Sequence, residues 1–283
     1  METRKAAFSG SWYPASASEC ERQIKGFLTE PGFEEIADRE FKGGIVPHAG
    51  WYFSGAIACN VIQHLVQGSL PEVMLIFGMH LHPESPCYIM EQGAWETPFG
   101  DIAVHTGLAR ELAGRFAFQV ETAESRHTDN TIELQLPFLK YFSRDIKIVP
   151  IGVPPAKIAI DIGRTAAKMA IEGELNVRVL GSTDLTHYGA NYGFMPQGTG
   201  PAAVDWAKNK NDRRVIDAML AMDSETVIKQ SREHQNACCA GAAAAAITAS
   251  RQLGAEKGEE LAYASSYDKS PGDSFVGYAG ILF

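Results

Sequence analysis

Short apolar runs recur along this chain, and three of them end on side chains that can bind a metal or carry a proton. Residues 44–46 run into Pro47-His48-Ala49-Gly50, residues 73–77 into Gly78-Met79-His80, and residues 177–181 into Ser182-Thr183-Asp184-Leu185-Thr186-His187. Apolar runs of this kind read as strands buried on both faces. Residues 147–153, closed by Pro154-Pro155, predict another strand, as do 261–267, 276–282 and the segment that follows a turn beginning at Trp95. Between them the spacing becomes helical. Helices are predicted over 17–29, with Ser16 and Ser18 as candidate N-caps, and over 54–66, 108–116, 158–171, 211–222, 224–233 and 237–253. A further helix over 131–142 places Ile132, Leu136 and Leu139 on one face. Residues 189–201, glycine-rich and aromatic, predict a loop long enough to suspect a function. The alternation predicts an α/β fold. It is a single-domain layered sandwich over 1–283, with a central mixed, mostly parallel sheet flanked by helices.

Composition narrows the class of function. The chain has 283 residues with a formal net charge of −9. An acidic balance argues against a nucleic-acid binder, which carries a basic footprint. No apolar run approaches the ~18 residues that cross a bilayer. The amino-terminal segment, Met1 to Phe8, is polar and lacks the apolar core of a secretory signal. The cysteines Cys20, Cys59, Cys87, Cys238 and Cys239 are odd in number and show no framework spacing. They predict a reduced, cytoplasmic protein. A disulfide between neighbours is strained, so Cys238 and Cys239 are not expected to bridge each other.

In an open α/β sheet, ligands collect at the carboxyl ends of strands. Strands that deliver His48, His80, Asp184 and His187 at such ends can build one pocket, and Asn236-Ala237-Cys238-Cys239 can add a thiolate from the start of a helix. Two histidines and a cysteine are a transition-metal ligand set. Each residue also has a plainer reading. His48 can be a hydrogen-bonded cap on a strand end. Asp184 can be a helix N-cap, or it can fix the tautomer of His187 while Nε2 faces the pocket. Cys238 and Cys239 can pack as small apolar groups, although a helix N-terminus favours a thiolate. His80 and His82 can both ligate if the chain stays extended, but His82 reads better as a surface loop residue. His127 and Asp129 read as solvated residues near a cap, and Glu133 as a satisfied carboxylate at the edge of the core.

An ordered set of motifs then resembles a known family. The set runs from Phe8-Ser9-Gly10-Ser11-Trp12-Tyr13-Pro14 through Pro47-His48-Ala49-Gly50 and Trp95-Glu96-Thr97-Pro98-Phe99-Gly100-Asp101. It continues through Ile132-Glu133-Leu134-Gln135-Leu136-Pro137-Phe138 and Ser182-Thr183-Asp184-Leu185-Thr186-His187 to Val276-Gly277-Tyr278-Ala279-Gly280. It resembles the Memo family, also called AmmeMemoRadiSam system protein B. The resemblance implies a fold similar to class III extradiol dioxygenases, which hold non-haem iron. It also implies a metal site of His48, His80 and Cys238, with Asp184 and His187 nearby in acid/base roles. Cys239 stands where the family usually has glycine, so the choice between the two cysteines stays open. Asp129-Asn130 replaces the family's usual Glu-His, and Leu81-His82-Pro83 replaces a small glycine-containing turn.

Two functions follow from the resemblance. One is a metal-dependent redox enzyme, dioxygenase-like, with iron or copper at the site and zinc as a further choice. The other is a peptide- or protein-binding module on a dioxygenase-like scaffold. The expected partner is a small molecule or a peptide, with neither nucleic acid nor membrane involved. The family name also suggests an accessory role beside a radical-SAM protein.

Overall fold

A computed structural model describes residues 2–33 and 39–283, so Met1 and residues 34–38 lie outside the described residues. Its large mixed sheet contains β1 (Gly43–Val46), β2 (Val73–Gly78), β3 (Cys87–Met90), β4 (Phe118–Glu121), β5 (Lys147–Gly152), β6 (Val177–Ser182), β7 (His187–Tyr188), β8 (Glu259–Ser265) and β9 (Phe275–Leu282). The order is β7-β9-β1-β6-β2-β5-β3-β4, with β8 also paired to β9. The centre, β1-β6-β2-β5, is parallel. The flanking pairings of β9 with β1 and of β3 with β5 are antiparallel. A small sheet joins Thr3–Arg4, Ala94–Trp95 and Ile102–Ala103.

The predicted buried runs form the middle of the sheet. Every residue of β1, β2 and β6 is buried, as covering by helices on both faces demands. β6 lies between β1 and β2, so the carboxyl ends of all three open on the same side. His48, His80 and Asp184 are therefore neighbours before any side-chain detail is considered.

Helices α1 (Ala17–Leu28) and α2 (Trp51–Val66) pack together. Ser16 caps α1 by accepting the Glu19 N–H, as expected. Next in the chain come α3 (Thr106–Ala113), α4 (Asn130–Glu133) and α5 (Leu136–Phe142), the last packed against α1 and α2. Then follow α6 (Lys157–Glu172), α7 (Pro201–Trp206), α8 (Arg213–Leu220), α9 (Ser224–His234) and α10 (Ala240–Gln252). The alanine run of α10 lets the helix lie flush on its neighbours. A Cβ at Gly163 would fall 2.3 Å from the Ala245 carbonyl oxygen, and one at Gly181 would fall 2.7 Å from the Ala246 Cβ.

Several predicted elements differ. The helix expected over 131–142 breaks at Leu134 and Gln135, because Pro137 in the first turn of α5 has no N–H to continue the ladder. The helix expected from 237 begins at Ala240, with Cys239 as its N-cap, so Cys238 lies in the turn just before it. The loop expected up to 201 gives way to helix at Pro201. From there α7 continues through π-helical turns at Ala207–Asp212 into α8. The strand expected over 261–267 starts earlier and stops at Ser265, whose hydroxyl caps a helical turn, Ser266–Lys269, in a reciprocal capping box with Asp268.

Candidate metal centre

His48 follows β1 directly, and its surroundings fix its ring. The Ser182 hydroxyl lies 2.7 Å from the Thr131 carbonyl oxygen and donates its one proton there. It therefore accepts from His48 Nδ1–H at 3.0 Å. In the neutral ring the lone pair is then on Nε2. The backbone around the ring is held as well: the His48 N–H donates to Asp184 Oδ1 at 2.7 Å, and its carbonyl accepts from Asn130 Nδ2 at 2.8 Å. One residue earlier, the Pro47 carbonyl accepts from Gln135 Nε2 at 2.9 Å, so the break between α4 and α5 serves this strand end.

His80 is oriented in the same way from the other side. Asp129 Oδ2 accepts from the His80 N–H at 3.1 Å and faces its Nδ1 at 3.0 Å. The carboxylate has no proton to give, so Nδ1 carries a hydrogen, and in the neutral ring the lone pair is on Nε2. Met79, just before, has φ 75°, a conformation that a residue with a side chain seldom adopts. Its N–H donates to Thr131 Oγ1 at 2.7 Å, which holds the turn that swings His80 inward. Thr131 in turn donates from both its N–H and its hydroxyl to Asp129 Oδ1.

The two Nε2 atoms lie 3.1 Å apart, and Cys238 Sγ is 3.3 Å from Nε2 of His48. Cys238 is placed by its backbone, whose N–H donates to the Asp184 carbonyl at 3.1 Å. Its sulfur accepts the Asp184 N–H at 3.3 Å. The potential donor atoms of His48, His80, Cys238 and Cys239 all lie within 4.8 Å of one another.

The electrostatics are those of a charged cluster. Burial works against charge on His80, but Asp129 and Cys238 outweigh it and hold the pKa up at about 10. His48 is also raised: Asp184 and Cys238 overcome a strong burial penalty. Cys238 is driven the other way. Burial favours its thiol, yet the hydrogen bond with Cys239 and the imidazoles of His48 and His187 bring it well below an ordinary cysteine. Asp129, despite burial, is held below the usual carboxylate range by His80 and Thr131.

His187 completes the rim. Its Nε2 lies 3.9 Å from Asp184 Oδ2, and it is a buried nitrogen with no hydrogen-bond partner among the described residues. The expected arrangement, in which Asp184 holds the ring so that Nε2 faces the pocket, is not the geometry seen. Nε2 itself faces the carboxylate, and Asp184 spends its hydrogen-bonding oxygen on the His48 backbone. Burial opposes charge on His187, but Asp184 and Cys238 hold its pKa at about 10. The ring packs against Tyr192, with centroids 4.9 Å apart. These groups open onto a cleft of about 570 Å³, walled by Trp12, Tyr52, Phe53, Tyr192 and Tyr278, with no lysine or arginine in its lining among the described residues.

Other expectations resolve simply. His82 is exposed and its N–H caps back onto Ser85, a surface loop residue. His127 is exposed and pairs with Glu121 at 3.0 Å. Asp129 caps α4 by accepting the Thr131 N–H, near a cap as expected, but it is not solvated: its side chain is 12% exposed and orients His80. Asp184 is not an N-cap but is buried within the cluster. Glu133 is satisfied, accepting from the N–H groups of Ala7 and Phe8 and from Tyr13 OH, which pins the amino-terminal segment beside the cleft. The sequence reading missed Ser182 and Thr131 as orienting groups. Their hydroxyls matter only through contacts between segments far apart in the chain, although Ser182 stands inside a motif already singled out.

A donor set of this kind fits an ion. Two neutral imidazoles that turn lone pairs toward each other at 3.1 Å repel, and a proton or a cation between them turns that repulsion into binding. Orientation of each ring by an outer partner is what metal-bound histidines require.

Residues 4–282 match the family described as Memo-like protein. A MEMO1 family protein of Thermococcus kodakarensis is 34% identical over 290 residues, covering 99% of each chain. Another from Methanosarcina acetivorans is 34% identical over 292 residues, covering 100% of this chain and 99% of its own. Among solved structures, an uncharacterized protein from Escherichia coli K12 superposes with a TM-score of 0.51 at 11% identity. It covers 85% of this chain and 99% of that one, a likeness of fold alone. No described helix is long and apolar enough to cross a membrane. The chain belongs to the Memo family.

Proposed function

We propose that this chain is a metal-dependent redox enzyme acting on a small molecule, with its ion held by His48, His80 and Cys238. The observation that carries the reading is the pair of Nε2 atoms turned toward each other at 3.1 Å with Cys238 Sγ 3.3 Å from one of them, each ring fixed by a hydrogen-bonded Nδ1. When bound, a copper or iron ion would supply one-electron and Lewis-acid chemistry, whereas zinc would supply the Lewis acid alone. The chain's own residues divide the remaining work. Asp184 holds the His48 backbone and sets negative charge beside His187. His187 is the proton carrier of the cleft. It is protonated near neutral pH, with Nε2 buried and facing Asp184 Oδ2 at 3.9 Å, so its proton reaches a bound molecule only when the ring turns from the carboxylate toward the cleft. The aromatic walls offer stacking surface to a flat ligand.

The rival reading is a peptide-binding module, including one for phosphorylated peptides. Phosphate recognition uses arginine or lysine clusters, and the described cleft lining holds neither. That observation favours the small ligand over a phosphorylated peptide. The test is oxygen uptake by iron- or copper-loaded protein on addition of small aromatic and hydroxylated compounds, beside binding of a phosphotyrosine peptide to apo-protein. Uptake that is lost in His187→Ala supports the enzyme. Saturable peptide binding that persists after chelation, with no uptake, overturns it.

A further inference from the structure

We propose that Cys239 is a fourth donor to the ion, so that the resting site is a four-coordinate set of two imidazoles and two thiolates. This deepens the reading above and rests on His48, His80 and Cys238 being donors.

The distances carry it. A tetrahedral ion with bonds of about 2.3 Å to sulfur and about 2.0 Å to nitrogen sets donors roughly 3.3–3.8 Å apart. The two cysteine sulfurs are 3.7 Å apart, Cys238 Sγ is 3.3 Å from His48 Nε2, and the two Nε2 atoms are 3.1 Å apart. All four donor atoms lie within 4.8 Å. The widest pair closes by about 1 Å on binding, a movement that rotation of the Cys239 side chain about χ1 covers.

The surroundings prepare Cys239 for this role. Its residue is buried, and the contact with Cys238 is the hydrogen bond its sulfur makes among the described residues. Its N–H donates to Thr183 Oγ1 at 3.0 Å, which fixes the backbone at the end of β6. Its carbonyl accepts from the N–H groups of Ala242 and Ala243, so it sits as N-cap of a 13-residue helix, and its sulfur makes no cap hydrogen bond that would hold it away from Cys238. Both thiols are free. When the ion binds, the Cys239 S–H bond breaks, its proton passes to solvent, and the sulfur lone pair forms the new bond.

Two thiolates with two imidazoles make a softer site than three donors with open positions. They shift the choice among iron, copper and zinc toward the latter two. They also leave the cleft ligand two routes to the ion: a fifth position, or displacement of Cys239.

The test is X-ray absorption at the metal edge of the full chain loaded with cobalt(II), and separately with zinc(II), counting sulfur neighbours. Two sulfurs are expected in the wild type, and one in each of Cys239→Ala and Cys238→Ala. Cys239→Ala should also weaken cobalt(II) binding by more than the ~10–100-fold that loss of an outer partner costs. A circular-dichroism melt of each variant checks that it folds, and the wild-type count needs no variant. Bound cobalt with one sulfur in the wild type, unchanged in Cys239→Ala, overturns this proposal alone. A wild type that takes up neither ion overturns the donor set of His48, His80 and Cys238 as well.

Discussion

Ser182 decides which nitrogen of His48 faces the cleft. Its hydroxyl gives its proton to the Thr131 carbonyl at 2.7 Å and so takes a proton from His48 Nδ1 at 3.0 Å. Ser182→Ala removes that acceptor and leaves the ring free to place its proton on Nε2. Metal affinity is expected to fall by roughly 10–100-fold, the cost of losing an outer partner, with the fold retained. Competition against a chelator of known affinity measures it. Asp129→Asn, which exchanges the acceptor for His80 Nδ1, should act alike.

Metal uptake should depend steeply on pH. His80 and His187 are held at about 10 and His48 is raised, so the apo-cluster carries protons at neutral pH that an ion at His48 and His80 must displace. Apparent affinity should therefore climb as pH rises toward about 10, and binding should release protons. Titration calorimetry in buffers of different ionisation enthalpy reads the proton count; uptake independent of pH contradicts the cluster.

Asp212 is a separate, buried carboxylate. It accepts from the Thr186 N–H at 3.0 Å, from the Thr186 hydroxyl and from Tyr263 OH at 2.8 Å. Burial outweighs these bonds and pushes it up to about 6. A carboxyl raised on folding favours the fold below its unfolded pKa, and that contribution is lost as pH rises through the folded value. Stability should thus decline from about pH 4 to about pH 6 on this account, by on the order of 1–3 kcal/mol. In Asp212→Asn that slope should vanish. Thermal melts across the interval test it.

The seating of α10 should tolerate no added methyl. At Gly163 a Cβ would meet the Ala245 carbonyl oxygen at 2.3 Å, a backbone atom that cannot rotate away. Gly163→Ala should cost about 1–3 kcal/mol and, by displacing the helix that begins at Cys239, weaken metal binding too. Denaturant melts of apo-protein and chelator competition separate the two effects.

The parts of this architecture legible in the sequence are those where burial and chemistry coincide. The runs before His48, His80 and Asp184 are apolar because β1, β2 and β6 are covered on both faces, so their ends could be read directly. The orienting contacts were not legible. Asp129 and His80 are 49 residues apart, and Ser182 and Thr131 are 51 apart. No periodicity encodes such a meeting, so Asp129 looked like a solvated cap. The start of α10 was misplaced for a local reason: alanine propensity extends a helix backward on paper, while the Cys238 N–H in fact pairs with the Asp184 carbonyl.

The most direct measurement is metal content by mass spectrometry of protein purified without oxygen or an affinity tag, for the wild type beside His48→Ala, His80→Ala and Cys238→Ala. An ion held by His48, His80 and Cys238 gives a near-stoichiometric transition metal in the wild type and its loss in each variant. A wild type that holds no metal and retains none on reconstitution would contradict the metal centre and return the cleft to a binding role.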